Sequence, residues 1–132
     1  MHYNEYIKAL HWMCIRGNIR CLQHFKDIDS DKFRDSKGNS LLHAAAQYGH
    51  YKCCHFLINI IKCDVTAINK NKETPLHKAV AGNYHEVVHL LLSKGANLNA
   101  TDVKGRTPLH KAAMNSASHS LTQLLERGAK VK

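Results

Sequence analysis

The stretch Thr74-Pro75-Leu76-His77 decides the fold, because Thr107-Pro108-Leu109-His110 repeats it 33 residues later. A related stretch, Ser40-Leu41-Leu42-His43, begins 34 residues before the first, and Leu10-His11 lies a further 32 residues upstream of Leu42. A period of this length indicates a repeat architecture, in which each unit buries its apolar face against the next unit.

Each unit reads as a helix, a tight turn and a second helix. Threonine before proline is a typical helix start, because the hydroxyl caps the helix and proline needs no N–H at the first helical position. Small residues such as Ala44-Ala45-Ala46 follow, and then a residue suited to a left-handed turn, Gly49 or Asn83. The apolar runs Phe56–Ile58 and Leu90–Leu92 predict the second helices.

Over one whole unit the chain resembles the ankyrin repeat family position by position. The matching positions are Thr74–His77, Glu86–Val88, Leu90–Leu92, Gly95–Asn99, Asp102 and Gly105. The resemblance spans Leu10 to Ala129 and implies an all-α ankyrin repeat solenoid of four helix-turn-helix repeats joined by hairpin-like loops. We expect a single domain over residues 1–132, with repeats at approximately 4–34, 35–68, 69–101 and 102–132.

The first repeat is divergent, since Lys8-Ala9 replaces Thr-Pro and Trp12 replaces a smaller residue. Such divergence is typical of a terminal cap, which faces solvent on one side. At the other end the chain stops at Lys132, soon after Gly128-Ala129. Either a natural C-terminus or the truncation of a longer array would produce this ending.

Composition restricts the class of protein. Apolar residues make up 44% of the chain and charged residues 22%, which is ordinary for a globular domain, and no apolar run is long enough to span a bilayer. Glu5 and Lys8 interrupt the N-terminal segment, so it lacks the apolar core of a secretory signal. We expect a soluble monomer that does not insert into membranes and is intracellular, cytoplasmic and/or nuclear.

The repeat alignment gives structural roles to all five cysteines and to four histidines. Cysteine occupies small apolar packing positions in the alignment and forms no CxxC pair, so no disulfide framework is expected. The cysteines are Cys14, Cys21, Cys53, Cys54 and Cys63. The resemblance assigns one shared position to histidines that hydrogen-bond neighbouring repeats: His11, His43, His77 and His110.

The segment His85-Glu86-Val87-Val88-His89 matches the HExxH motif of zinc metalloproteases. On a helix its two histidines are one turn apart, and Glu86 would be the general base. However, Glu86–Val88 also fits an ankyrin second helix, and a convex helical surface offers neither a third ligand nor a cleft. We therefore predict no catalytic residue, cofactor or metal site. A zinc hydrolase remains a remote alternative, and adventitious metal binding with His55 beside His89 remains open.

Partner binding is the remaining function. Solenoids bind extended partners along a concave face of loop tips and first helices. By resemblance, the contact residues flank the loop glycine or lie on the first helix. They are Trp12, Arg16, Lys37, Asn39, Gln47, Tyr48, Lys70, Asn71, Glu73, Lys78, Val103, Lys104, Arg106, Lys111, Met114 and Asn115.

The charge balance suggests what this face binds. The chain has 19 Lys and Arg against 10 Asp and Glu, and among the predicted contact residues only Glu73 is acidic. We predict a protein-protein interaction module that binds an acidic or mixed segment of another protein. Nucleic acid or another polyanion is the alternative, although the lysines are not interleaved with stacking aromatic residues. Trp12 either anchors the partner or seals the cap.

Overall fold

The computed structural model describes residues 3–128, apart from the side chains of residues 3, 4 and 31. Within that range the chain is all-α, with one short 3-10 helix at Ser30–Lys32 and no β-strand. The eight α-helices are α1 Tyr3–Arg16, α2 Ile19–Leu22, α3 Leu41–Gln47, α4 Tyr51–Asn59, α5 Pro75–Ala81, α6 His85–Ser93, α7 Pro108–Met114 and α8 Ser118–Glu126. The all-α prediction is confirmed.

The helices form four consecutive pairs. The first helices α1, α3, α5 and α7 pack against one another in chain order, and the second helices α2, α4, α6 and α8 do the same. One continuous apolar core runs from Leu10 in the first pair to Leu124 in the last. The predicted four-unit solenoid is therefore confirmed, while the exact repeat limits stay a prediction, and residues 1–2 and 129–132 lie outside the described range.

Capping boxes start the first helices α3, α5 and α7. Thr74 Oγ1 accepts a hydrogen bond from the His77 N–H at 3.3 Å, and His77 Nδ1 accepts one from the Thr74 N–H at 3.0 Å. Two helix donors that would otherwise be orphaned are thereby satisfied. The same reciprocal pairs form between Ser40 and His43 and between Thr107 and His110.

The Nε2 atoms of three of the aligned histidines bond to backbone carbonyls, and two of these bonds reach the next repeat. A carbonyl can only accept, so each Nε2 carries the proton and donates it. The bonds are His11 to the Phe33 carbonyl at 2.6 Å, His43 to the Glu73 carbonyl at 2.8 Å and His77 to the Arg106 carbonyl at 3.0 Å. The predicted linking role is confirmed for His43 and His77, whereas the His11 bond lies within the predicted first repeat, residues 4–34. His110 is exposed and serves the capping box.

Left-handed residues make the turn within each helix pair. Gly49 has φ +72°, and Asn83 has φ +57° at the equivalent place, as the sequence predicts. Ser116 takes this conformation in the last pair, with φ +54°. At Gly49 a side chain is also excluded by space, because a Cβ atom would overlap the ring of Tyr84.

The cysteines are free thiols, and most of them are packing residues. Cys14, Cys53, Cys54 and Cys63 are buried. Burial raises the pKa of the Cys14 and Cys54 thiols well above the usual range, which keeps them protonated and unreactive. Cys21 is exposed, so the predicted packing role is wrong there. It lies in the four-residue helix α2, whose one buried residue is Leu22.

Candidate functional site

Three loop tips, residues 35–39, 69–73 and 102–106, connect the helix pairs. The first residue of each tip has a carboxylate or amide side chain. These residues are Asp35, Asn69 and Asp102, in that order. The Oδ1 atom of each accepts hydrogen bonds from the backbone N–H groups two and four residues ahead, at 2.8 to 2.9 Å. These Asx-type bonds hold the tips in hairpin-like turns, which confirms the predicted loop shape.

Hydrogen bonds also join each tip to the next one. The Lys70 N–H donates to the Lys37 carbonyl at 3.0 Å, and the Val103 N–H donates to the Asn71 carbonyl at 2.9 Å. Beneath this ladder, Asn69 Nδ2 donates to Asn39 Oδ1 at 2.8 Å. The tips therefore form one fixed row.

A network of ion pairs lies between the tips and the first helices. Glu73 accepts from Lys78 at 3.2 Å through Oε1 and from Lys111 at 3.3 Å through Oε2. Asp102 Oδ2 accepts from Arg106 Nε at 2.9 Å and lies 3.6 Å from Lys111 Nζ. Lys111 thus bridges two carboxylates that belong to different tips.

Both carboxylates stay ionised in this network. Burial alone would raise the pKa of each, but hydrogen bonds outweigh it. Bonds from Asn69, Lys78 and Lys111 lower the pKa of Glu73 to about 2. The backbone and side chain of Arg106, together with the Lys104 N–H, hold the pKa of Asp102 well below its usual range.

Comparison with known proteins agrees with this geometry. A family model described as ankyrin repeats, in three copies, matches residues 2–69 and again residues 59–132. The chain belongs to the ankyrin repeat family. Ankyrin repeats are a general protein-protein interaction module, and the resemblance noted in the sequence is confirmed.

Curated relatives include long proteins of several kinds. Ankyrin repeat domain-containing protein 53 of Homo sapiens is 37% identical over 98 residues, which is 67% of this chain and 18% of that protein. Alpha-latroinsectotoxin-Lt1a of Latrodectus tredecimguttatus is 29% identical over 66% of this chain and 6% of the toxin. Target of rapamycin complex 2 subunit AVO2 of Saccharomyces cerevisiae is 27% identical over 74% of this chain and 24% of that subunit. The chain thus spans less than a quarter of each of these three relatives.

The ankyrin loop tips and first helices together are termed the recognition face. Most of the predicted contact residues are exposed on it: Trp12, Arg16, Lys37, Gln47, Tyr48, Lys70, Asn71, Val103, Lys104, Met114 and Asn115. Those in the ion-pair network, Glu73, Lys78, Arg106 and Lys111, are half-buried. Asn39 is only 8% exposed and bonds to Asp35 and Asn69, so it supports the tips from beneath.

Large apolar side chains are exposed on the recognition face. Trp12 is 54% exposed, Tyr48 45%, and Val103 and Met114 60% each. The Arg16 guanidinium lies 5.3 Å from the Trp12 ring centroid, within range of a cation–π interaction. Trp12 is therefore in contact with solvent at the first helix pair, and its role as a partner anchor or as a cap residue stays a prediction.

An open groove adjoins Trp12 at the N-terminal end of this face. It has a volume of about 450 Å³ and lies between α1 and the first loop tip. Ile7, Trp12 and Ile15 give it an apolar wall, while Asp35 and Ser36 line the tip side. The groove is large enough for one or two side chains of a partner.

The recognition face carries fewer unpaired positive charges than the sequence suggests. The sequence predicts Glu73 as the only opposing charge, but Asp35 in the first tip and the buried Asp102 in the third tip are two more. The cationic groups of Lys78, Arg106 and Lys111 are therefore paired within the protein. Exposed lysines at the tips carry the remaining positive charge.

The HExxH segment lies on α6, away from the recognition face. His85 and His89 are both exposed, and Arg127 Nη2 lies 3.1 Å from His89 Nδ1. The ring of His55 contacts Tyr51, with centroids 6.0 Å apart. Among residues 3–128 no three His, Cys, Asp or Glu side chains converge in a way that could hold a metal ion. In the same part of the chain, no helix has the length and apolarity needed to cross a membrane.

Sequence reasoning missed two sets of structural residues. The tip residues Asp35, Asn69 and Asp102 recur at one repeat position, so the period itself carried the signal. His50 was also missed: its Nε2 donates to the Ile15 carbonyl at 2.7 Å and joins the first two repeats. No second histidine repeats that position, and the sequence therefore gives no signal for it.

Proposed function

We propose that this ankyrin domain binds a partner protein through the recognition face, by an acidic or mixed segment of the partner. One observation carries the proposal: a fixed row of loop tips stands beside exposed aromatic and thioether side chains on the first helices. Fixed surfaces lose little conformational entropy on binding, so more of the contact energy appears as affinity.

The apolar side chains favour a protein partner. Trp and Tyr are enriched among the residues that dominate interface energetics. Trp12 lies on α1, and Tyr48 directly follows the adjacent first helix, α3. Met114 extends the apolar surface at the other end, on α7. A polyanion such as nucleic acid would leave much of this surface unused.

The charges favour a segment that is partly acidic. Lys37, Lys70 and Lys104 project from three successive tips, are exposed, and have no ion pair within the described part of the chain. Unpaired surface charge raises the rate of encounter with an oppositely charged partner. We therefore place acidic partner residues along the tips and apolar ones over Trp12 and Tyr48.

We also propose an intracellular location, cytoplasmic and/or nuclear, and a monomeric domain. All five cysteines are free thiols, and four are buried without a disulfide. Free thiols persist in a reducing compartment.

Reversing the three tip charges is expected to slow association with the partner. The variant Lys37→Glu/Lys70→Glu/Lys104→Glu removes the unpaired cations of the tips. It leaves the ion pair between Arg106 and Asp102 intact. The matched control, Lys52→Glu/Lys62→Glu/Lys94→Glu, makes the same charge change at exposed positions outside the recognition face. We expect association to slow about tenfold or more at low salt for the first variant only, by surface plasmon resonance.

Partner candidates come from affinity capture with the wild type and both variants. Lysate with and without nuclease treatment is used at two salt concentrations, and captured proteins are identified by mass spectrometry. Proteins retained by the wild type and the control but lost with the tip variant support the proposal. Capture that disappears with nuclease treatment or falls steeply with salt would support polyanion binding instead. Equal behaviour of the two variants would contradict the proposed face.

A further inference from the structure

Two histidines from successive repeats meet on the second helices, outside the recognition face. His85 is the first residue of α6, and His119 is the second residue of α8. Their ring centroids lie 5.6 Å apart, with ring planes inclined by 37°. Both side chains are exposed. No nitrogen of either ring has a hydrogen-bond partner among the described residues. Both imidazoles are therefore available to a ligand.

An open depression of about 370 Å³ is lined by both histidines. Its lining is His85, Ser118, His119, Thr122, Gln123 and Glu126. Gln123 Nε2 donates to the His85 carbonyl at 2.9 Å, while its Oε1 is buried without a partner. The Glu126 carboxylate adds negative charge.

The spacing of the two rings fits a shared metal ion. With metal–nitrogen bonds of about 2.0–2.1 Å, two imidazoles on one metal have centroids roughly 5 to 6.5 Å apart. The observed 5.6 Å lies inside that window. Neutral imidazole suits Zn²⁺, Cu²⁺ and Ni²⁺ in particular.

The HExxH pair is a poorer chelate than this cross-repeat pair. Arg127 places a guanidinium nitrogen 3.1 Å from His89 Nδ1, and a fixed positive charge there repels a cation. His119 has no cationic neighbour among the residues that line its cavity. His85 is thus better matched to His119 than to His89.

We propose that His85 and His119 chelate a late first-row divalent metal ion, Cu²⁺ or Zn²⁺. No third His, Cys, Asp or Glu converges with them within residues 3–128, so water fills the remaining positions. The site departs from the sequence-based expectation of no metal. Because it joins α6 to α8, the bound metal fastens the third helix pair to the fourth and stabilises that end of the solenoid.

Metal titration of the tag-free chain tests this site. Isothermal titration calorimetry with Cu²⁺ alone and with Zn²⁺ alone compares the wild type with His85→Ala, His119→Ala and two control variants, His89→Ala and His55→Ala. We expect one saturable equivalent that is tighter for Cu²⁺ than for Zn²⁺. Replacing His85 or His119 should weaken the metal affinity at least about tenfold. The control variants should bind the metal with wild-type affinity.

Electron paramagnetic resonance of the Cu²⁺ form gives a second readout. Two coordinated imidazole nitrogens are expected in the wild type and one in each ligand variant. Circular dichroism verifies folding, and His85→Gln and His119→Gln replace any alanine variant that unfolds. Absence of saturable binding, an equal loss with His89→Ala or His55→Ala, or small losses spread over all four variants would overturn the assignment.

Discussion

Replacement of His43 by alanine is expected to lower the free energy of unfolding by about 3 kcal/mol or more. The side chain is fully buried and connects two repeats. Its loss leaves the buried Ser40 N–H without a partner and removes the donor to the Glu73 carbonyl. An unsatisfied buried polar group costs about 1–3 kcal/mol, and the vacated volume adds a cavity cost.

His110→Ala is the matched control for this prediction. His110 occupies the same repeat position and makes the same capping box, but it is exposed. Loss of its cap interaction should cost only about 1 kcal/mol. Urea unfolding followed by circular dichroism measures both variants against the wild type. Equal losses for His43→Ala and His110→Ala would show that the bond between repeats contributes little.

Stability is expected to fall as the pH is lowered from 7 to 4.5. Burial lowers the pKa of His43 to about 4, although its bond to the Glu73 carbonyl acts in the opposite direction. The unfolded chain has a histidine pKa of about 6.5, so below that pH the unfolded state binds a proton and the native state does not. The stabilisation is complete above pH 6.5 and is lost as the pH falls toward 4. It amounts to about 3 kcal/mol for His43.

Other groups with shifted pKa values do not mask the effect of the buried histidines between pH 7 and 4.5. Burial also lowers the pKa of His77, so its protonation likewise lowers the stability as the pH falls. Glu73 and Asp102 have lowered pKa values as well, but their stabilisation is complete above about pH 4.5 and is lost only at lower pH. The slope between pH 7 and 4.5 therefore reports on the buried histidines.

A variant separates the contribution of His43 to this slope. Urea unfolding at pH 7, 6, 5 and 4.5 compares the wild type with His43→Gln and with His110→Gln. We expect a shallower pH dependence for His43→Gln than for the wild type and for His110→Gln, because His43→Gln removes the group that resists protonation. Parallel curves for the wild type and His43→Gln would contradict the neutral, buried state of this imidazole.

The sequence was sufficient to predict the parts of the fold that repeat. A period of about 33 residues places a Thr or Ser cap and an aligned histidine in the second, third and fourth units and a left-handed turn residue in every unit, and each feature is local. His43, His77, Gly49 and Asn83 accordingly have the roles that the pattern indicates. The apolar core follows because each unit must cover its neighbour.

Features that depend on contacts between units were not accessible from the sequence. Asn39 shares a loop with exposed residues, yet its amide lies beneath Asn69 of the next tip and is buried. Lys111 reaches Glu73 across 38 residues of sequence, so the charge on the recognition face depends on side-chain directions that no period specifies. The contact between His85 and His119 likewise arises between repeats.

Site-specific photo-cross-linking tests the central claim, that a partner protein binds the recognition face. A photoreactive amino acid replaces Tyr48 or Val103 on that face, and replaces Lys94 after α6 as the control; all three positions are exposed. We expect the captured partner to cross-link from positions 48 and 103 and not from position 94. Cross-links that form at position 94 and are absent at 48 and 103 would place the partner elsewhere and contradict the account.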